Sequence, residues 1–426
     1  MKTSFAFGIT GIDIELPDSF DCHIVTSPAA TLLPDPVAAV NLALDQPIGC
    51  ESLTTMAAGK TTAAISVCDI TRPAPNPVTL PPILQRLADA GIPADHITIL
   101  IATGLHRQAT ADEVLRIVGS DVAAHYQVVS HDAHALDQHR PLGHTLRGTS
   151  VAIDERFMAA DLHITLGLVE PHLMLGFSGG RKLVAPGLAA EQTIKAIHSP
   201  RFMREPLATE GSIQHNPLQD ELLEIARMAR HDFIVDVTLT RHREISGVFA
   251  GDPVKAHAAA VQFLEQTSVA HIDELADAVI TSAAGYPLDL TFYQTIKGIT
   301  AAQHIAKPGA PILIVSECAE GVGSDEFASK LAAYAGPQQY LDEILHNPVQ
   351  IDQWQLEKLA ITGLKHRLLF YTPGVSASQL GTLGATAFSH LDRAIAALVE
   401  MLPTNARIAL VPDGPYTFAR ARQTSR

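Results

Sequence analysis

The sequence predicts an α/β fold of two domains with mainly parallel sheets and an active site in the interdomain cleft. Short β-branched apolar runs alternate with helical patterns along the chain, as in parallel sheets with helical crossovers. At 426 residues the chain is too long for one ordinary core. The polar, helix-prone stretch 253–275 leads into a fresh strand and marks a junction. The expected domains are therefore 1–265, carrying the chemistry, and 266–426, a Rossmann-like domain that closes over it.

The elements follow in chain order. The N-terminal stretch MKTSFAFGITGIDIELPD has one lysine, an apolar run broken by Asp13 and no small-residue cleavage site, so it reads as the first strand. Further strands are expected at 63–70, 96–103, 160–168, 276–283, 310–318, 367–372 and 407–413. A helix begins at Thr110, where Glu113 completes a capping box. Two more helices are expected over 291–306 and 385–402.

Composition removes several function classes. A formal charge of −15 argues against a nucleic-acid backbone as partner, which would need clustered Lys and Arg. No apolar run reaches the roughly 18 residues that span a bilayer, and a soluble cytoplasmic protein is expected. Cys22, Cys50, Cys68 and Cys318 are scattered without a CxxC pair, so neither a disulfide framework nor a cysteine zinc site is signalled.

In open parallel sheets, ligands sit beyond the carboxyl ends of the strands. The 63–70 strand runs into Asp69, Thr71 and Arg72; the 96–103 strand ends in Gly104-Leu105-His106-Arg107; the 160–168 strand ends in Glu170-Pro171-His172. A glycine-rich run follows, with Ser178, Gly179, Gly180 and Lys182. It is not a Walker loop, because Arg181 separates Gly180 from Lys182 and no Ser or Thr follows the lysine to hold magnesium. In the second half, a helix opening with Tyr293 and Gln294 carries Lys297 three residues after Gln294, on the same face. Arg72 has the geometry to grip a carboxylate or phosphate. The plainer readings are a surface ion pair for Arg72, an exposed helix lysine for Lys297 and a core residue for Trp354.

The blocks DxTRP, TGLHR, PHxxxGFSGGRK and YPLDLTFYQTIK, with His198 sixteen residues after Lys182, resemble the nickel-pincer-nucleotide-dependent lactate racemase family over about 60–360. The resemblance implies a pyridinium cofactor attached covalently to Lys182, with nickel gripped by the pincer and by His198. It makes His106 and His172 the acid/base pair, and Arg72 and Lys297 the contacts to the substrate carboxylate. Asp69, Thr71, Ser178, Gly179, Gly180, Tyr293, Gln294 and Trp354 match positions around cofactor and substrate. The implied partners are a 2-hydroxy acid and the enzymes that build the cofactor.

The expected reaction is racemisation or 2-epimerisation of a lactate-, malate- or aldonate-like 2-hydroxy acid through a 2-keto acid. The α-hydrogen beside a carboxylate leaves poorly as a proton but readily as hydride once a base takes the hydroxyl proton. Two histidines suit two enantiomers, since imidazole titrates near neutrality. The competing readings are a metal-dependent hydrolase ligated by His106, His172 and His198, and a non-catalytic binding protein for carboxylates or nucleotides.

Overall fold

A computed structural model describes residues 1–28, 30–240, 242–380 and 387–422. The chain forms two compact units: Ala29–His198 with Glu205–Thr267, and Met1–Pro28 with Ser199–Arg204 and Ser268–Arg426. Residues 1–28 thus group with the C-terminal unit, whereas the sequence reading placed them with the rest of 1–265. Hydrogen bonding explains the difference: Asp21–Ile24 adds in parallel to Arg407–Val411 at the edge of the C-terminal sheet. The opening stretch itself folds into an antiparallel pair, Lys2–Phe5 with Ile12–Glu15.

In the N-terminal unit six strands lie in the order Ile245–Gly251, Phe233–Leu239, Leu162–Leu168, Ala63–Cys68, Ile97–Ala102, Gln127–Ser130. All neighbours are parallel except the first pair. Ala63–Cys68 and Leu162–Leu168 are buried at every position, which is why they read as continuous apolar runs: helices cover both faces of a parallel sheet. The chain moves outward from Ala63–Cys68 to Gln127–Ser130, then returns to the other side of Ala63–Cys68 with Leu162–Leu168. That reversal is the topological switch point, and the crevice beyond these two strands is where such a sheet takes ligands.

The core beneath this rim is aliphatic. Ile65, Val67, Ile99 and Ile101 from the strands pack with Leu80, Ile83 and Leu87 of the helix Asn76–Asp89, all fully buried. Each such side chain contributes about 1.5–3 kcal/mol relative to leaving it in water. The helix Ala111–Val118 starts with the expected capping box between Thr110 and Glu113.

The C-terminal unit holds a second six-stranded sheet, all parallel, in the order Ala387–Phe388, Arg367–Tyr371, Pro311–Val315, Ala278–Ser282, Arg407–Val411, Asp21–Ile24. The strand expected over 310–318 stops at Val315, and Cys318 turns into a left-handed backbone conformation with φ +53°. The helix expected over 291–306 is Phe292–Ala302 followed by one tighter turn, Gln303–Ile305. The one expected over 385–402 is Leu391–Glu400, with 385 and 386 outside the described residues. The predicted junction stretch divides after the helix Lys255–Thr267, and Val269–Ile272 pairs with Phe418–Ala421 in the C-terminal unit. Among the described residues no helix is long and apolar enough to cross a membrane.

Candidate active site

The site begins where Ala63–Cys68 ends. Asp69 is 8% exposed and its carboxylate closes a short turn, accepting from Thr71 Oγ1 (2.6 Å) and Thr71 N (3.3 Å) through Oδ1. The other oxygen, Oδ2, accepts from His106 Nδ1 at 2.7 Å. Burial works against the Asp69 carboxylate, but the His106 hydrogen bond and charge, then Thr71 and Arg72, outweigh it and hold the carboxyl below its ordinary range. A carboxylate only accepts, so Nδ1 of His106 carries the proton and Nε2 is the basic nitrogen of the neutral ring. The His106 side chain is 57% exposed, so its Nε2 is open to solvent-borne molecules. Its loop is fixed from both sides: His106 N donates to Thr103 O (2.9 Å) and Gly104 N to Gly187 O (3.0 Å). Asp69, Thr71, Thr103, His106 and Arg107 line one cavity, with Arg107 gripped by Glu113 through two 2.6 Å contacts.

Arg72 turns toward the other central strand. Its Nη1 donates to Thr71 Oγ1 (3.1 Å), and its Nε lies 3.4 Å from Oε1 of Glu170, just past Leu162–Leu168. Asp69, Thr71, Arg72, His106 and Glu170 therefore form one connected polar network across the switch point. Two positions later His172 sits in a short antiparallel pair, Pro171–His172 with Gly176–Phe177, where Met174 N points at His172 Nδ1 over 3.4 Å.

The glycine-rich stretch then folds back. Ser178 stitches its start, with Oγ donating to Leu168 O (2.8 Å) and accepting from Glu170 N (3.0 Å). Gly179 has φ +84°, and a Cβ there would lie 2.8 Å from Val169 Cγ2 and 2.9 Å from Asp236 Oδ2, so only glycine fits. Lys182 follows on the single tight turn Gly180–Leu183. Its positive charge reaches His198, whose pKa falls to about 4, chiefly through burial, with an Ile194 hydrogen bond opposing and Lys182 adding to the fall. His198 Nδ1 donates to Ile194 O at 2.8 Å. The ring is thus neutral with Nε2 as its lone-pair nitrogen, the form in which imidazole ligates a metal.

In the C-terminal unit, Tyr293, Gln294 and Lys297 occupy the first two turns of Phe292–Ala302. Gln355 Nε2 donates to Tyr293 O at 3.0 Å. Trp354 is buried, 8% exposed, in the first turn of Gln353–Lys365.

Three residues of this region escaped the sequence reading: Arg181, Asp236 and His257, all buried beneath the glycine-rich loop. Arg181 was read only as the residue that separates Gly180 from Lys182. Asp236 left a usable signal, a lone acid in the β-branched run FIVDVTL of the strand Phe233–Leu239. Glu170 was visible only as part of a strand end, with no partner assigned.

Known proteins resemble this chain along most of its length. The family model described as the lactate racemase N-terminal domain matches residues 7–211, and that of the lactate racemase C-terminal domain matches residues 272–417. The chain is 33% identical over 386 residues to the lactate racemase of Thermoanaerobacterium thermosaccharolyticum, covering 90% of each. To the lactate racemase of Lactiplantibacillus plantarum it is 34% identical over 379 residues, 88% of this chain and 89% of that one. The solved lactate racemase apoprotein from T. thermosaccharolyticum matches with a TM-score of 0.91 at 31% identity, covering 99% of this chain and 100% of that one. A Thermotoga maritima crystal structure shares the fold, with a TM-score of 0.67 at 16% identity over 91% of this chain and 99% of that one. With both family domains matched in order and a third of the residues shared across nine-tenths of its length, this chain belongs to the lactate racemase family.

Proposed function

We propose that this protein is a cytoplasmic racemase of a small 2-hydroxy acid, with lactate as the first substrate to test and malate- and aldonate-like acids as the wider class. The observation that carries the reading is His106, held by Asp69 as a base at a switch point that also presents Arg72. The relatives' activity supplies the reaction class.

In this reading Arg72 and Lys297 hold the substrate carboxylate. His106 Nε2 takes the hydroxyl proton from one enantiomer and His172 from the other, each returning it in the reverse direction. Thr71 and Glu170 keep the Arg72 guanidinium oriented until a carboxylate arrives. Tyr293, Gln294 and Trp354 are assigned to the substrate's surroundings, and Ser178, Gly179 and Gly180 to the cofactor's.

The residues present fit a nickel-pincer nucleotide. Lys182 would carry it covalently and His198 Nε2 would give the metal one protein ligand. Among the described residues no three His, Cys, Asp or Glu side chains gather as a metal site. That suits a metal whose other ligands come from its own cofactor, and it weighs against a hydrolase built on His106, His172 and His198. When bound, the group supplies a reversible acceptor for the α-hydrogen as hydride. Its makers would be the protein's partners.

The test is peptide mass spectrometry over Lys182, on protein made alongside the cofactor-building enzymes, with nickel quantified in the same sample. An adduct on Lys182 together with nickel and turnover of L-lactate to the racemate is the expected result. An unmodified lysine in active enzyme would sink the reading.

A further inference from the structure

The glycine-rich loop rests on a buried charged support that the assignments above leave unused. Arg181 is 1% exposed, whereas its neighbour Lys182 is half-buried. Its Nη2 donates to Phe177 O (2.8 Å) and Leu175 O (3.4 Å), its Nη1 to Gly179 O (3.3 Å), Ser178 O (3.4 Å) and His257 Nε2 (2.6 Å). One guanidinium thus reaches four carbonyls of the five-residue run that leads to the lysine turn. Five donors in a rigid plane make this possible, and no other side chain has them.

Asp236, fully buried, meets the same loop from the sheet below. Its Oδ1 accepts from Gly180 N at 3.1 Å. Its strand partner is Gly167, where a Cβ would lie 2.4 Å from Asp236 Oδ1. Two glycines, 167 and 179, therefore leave room for this one carboxyl group. The charge of Asp236 favours the cationic form of Arg181, which burial opposes, and His257 is held neutral by its own burial and by Arg181. Buried charges can often be replaced by apolar residues of similar volume without loss of stability. Charges with directional bonds fix one loop geometry instead.

We propose that Arg181 and Asp236 are positioning residues for Lys182, fixing the glycine-rich loop from beneath so that the lysine is presented for cofactor attachment. The proposal rests on Lys182 being the attachment point.

The experiment compares wild type with Asp236→Asn, Arg181→Met, Arg181→Lys and the double variant Arg181→Met/Asp236→Asn, each made alongside the cofactor-building enzymes. Intact and peptide mass spectrometry give the fraction of Lys182 modified, and hydrogen exchange on cofactor-free protein gives the protection of 175–183. Leu87→Ala, in the core of the helix Asn76–Asp89, serves as a control for lost Tm alone. Asp236→Asn and Arg181→Met should each lower the modified fraction at least tenfold and speed loop exchange at least tenfold. Arg181→Lys, which keeps the charge but not the fork, should fall between Arg181→Met and wild type. The double variant should lose no less than either single variant, because Arg181 and Asp236 hold different atoms of the loop. Wild-type modification in Asp236→Asn and Arg181→Met overturns the proposal, and so does an equal loss in Leu87→Ala at matched Tm. A wild type without any adduct fells the attachment reading instead, and the proposal with it.

Discussion

Replacing Asp69 by Asn isolates what the carboxylate does for His106. The pair is joined by one 2.7 Å hydrogen bond to a residue that is 8% exposed. A hydrogen bond to a charged partner contributes about 1.5–3 kcal/mol. Because the His106 ring is more than half exposed, water replaces part of that, and the lower end, about 1.5–2 kcal/mol, is the appropriate figure. At 1.36 kcal/mol per tenfold this is roughly a 10- to 30-fold loss of kcat/KM. A second effect adds to it. If the amide oxygen of Asn stays on Thr71, its NH2 group faces His106 Nδ1 and favours the tautomer with the proton on Nε2, where the base should be. The expected total is therefore about 10- to 100-fold. Chiral chromatography of lactate, run from each enantiomer, reads this directly. Enantiomers are equal in energy, so kcat/KM must fall equally in both directions, which gives the assay an internal check. Activity within twofold of wild type would refute the orienting role. A loss accompanied by loss of the Lys182 adduct would return Asp69 to the cofactor's surroundings, the position the family resemblance implied.

Four further outcomes follow from the same geometry. Arg72→Lys should raise KM for lactate about 5- to 20-fold with kcat largely kept, since an ammonium cannot reproduce the guanidinium fork; steady-state kinetics decide it. Gly179→Ala should lower stability by about 1–3 kcal/mol through its left-handed backbone and its contacts with Val169 and Asp236, measured by chemical denaturation. His198→Ala should lose nickel while keeping the adduct on Lys182, read by metal analysis and mass spectrometry on one sample. Burial depresses His131, His231 and His257 to about 4, 4 and 3. The unfolded chain therefore takes protons there first, and unfolding free energy should fall as pH drops from about 6.5 toward 4, by up to about 3 kcal/mol per group. Asp236 has the opposite sign, because burial raises it to about 7. Its contribution is present in acid and lost as pH rises through 7, so Asp236→Asn should steepen the acid loss in urea titrations at stepped pH.

Much of this was legible in the sequence, for identifiable reasons. Strands buried on both faces cannot alternate, so Ala63–Cys68 and Leu162–Leu168 stand out as unbroken apolar runs. Since a parallel sheet gathers its carboxyl ends on one rim, Arg72, His106 and His172 are expected on that rim from the sequence, and Arg72 and His106 are joined there through Thr71 and Asp69. Asp21–Ile24 could not be placed, because a four-residue edge strand with no fully buried position carries no pattern. Nor could Arg181: two adjacent cations look alike in a sequence, and only the loop's carbonyls decide which one turns inward. The Asp69–His106 bond joins residues 37 apart, a distance that no local spacing rule reads.

The pairing of Asp21–Ile24 with Arg407–Val411 bears on how the chain is made. Asp21 and Arg407 are 386 residues apart. At roughly 5–20 residues per second, a ribosome needs about 20–80 s to deliver the second strand after the first. During that interval every strand of the N-terminal sheet has emerged, while one edge of the C-terminal sheet has no neighbour to join. Chaperones that shield short exposed segments would find their task at Asp21–Ile24 until Arg407–Val411 arrives. A circular permutant that moves residues 1–28 behind residue 426 would shorten the wait to a few seconds, at the expense of a new linker.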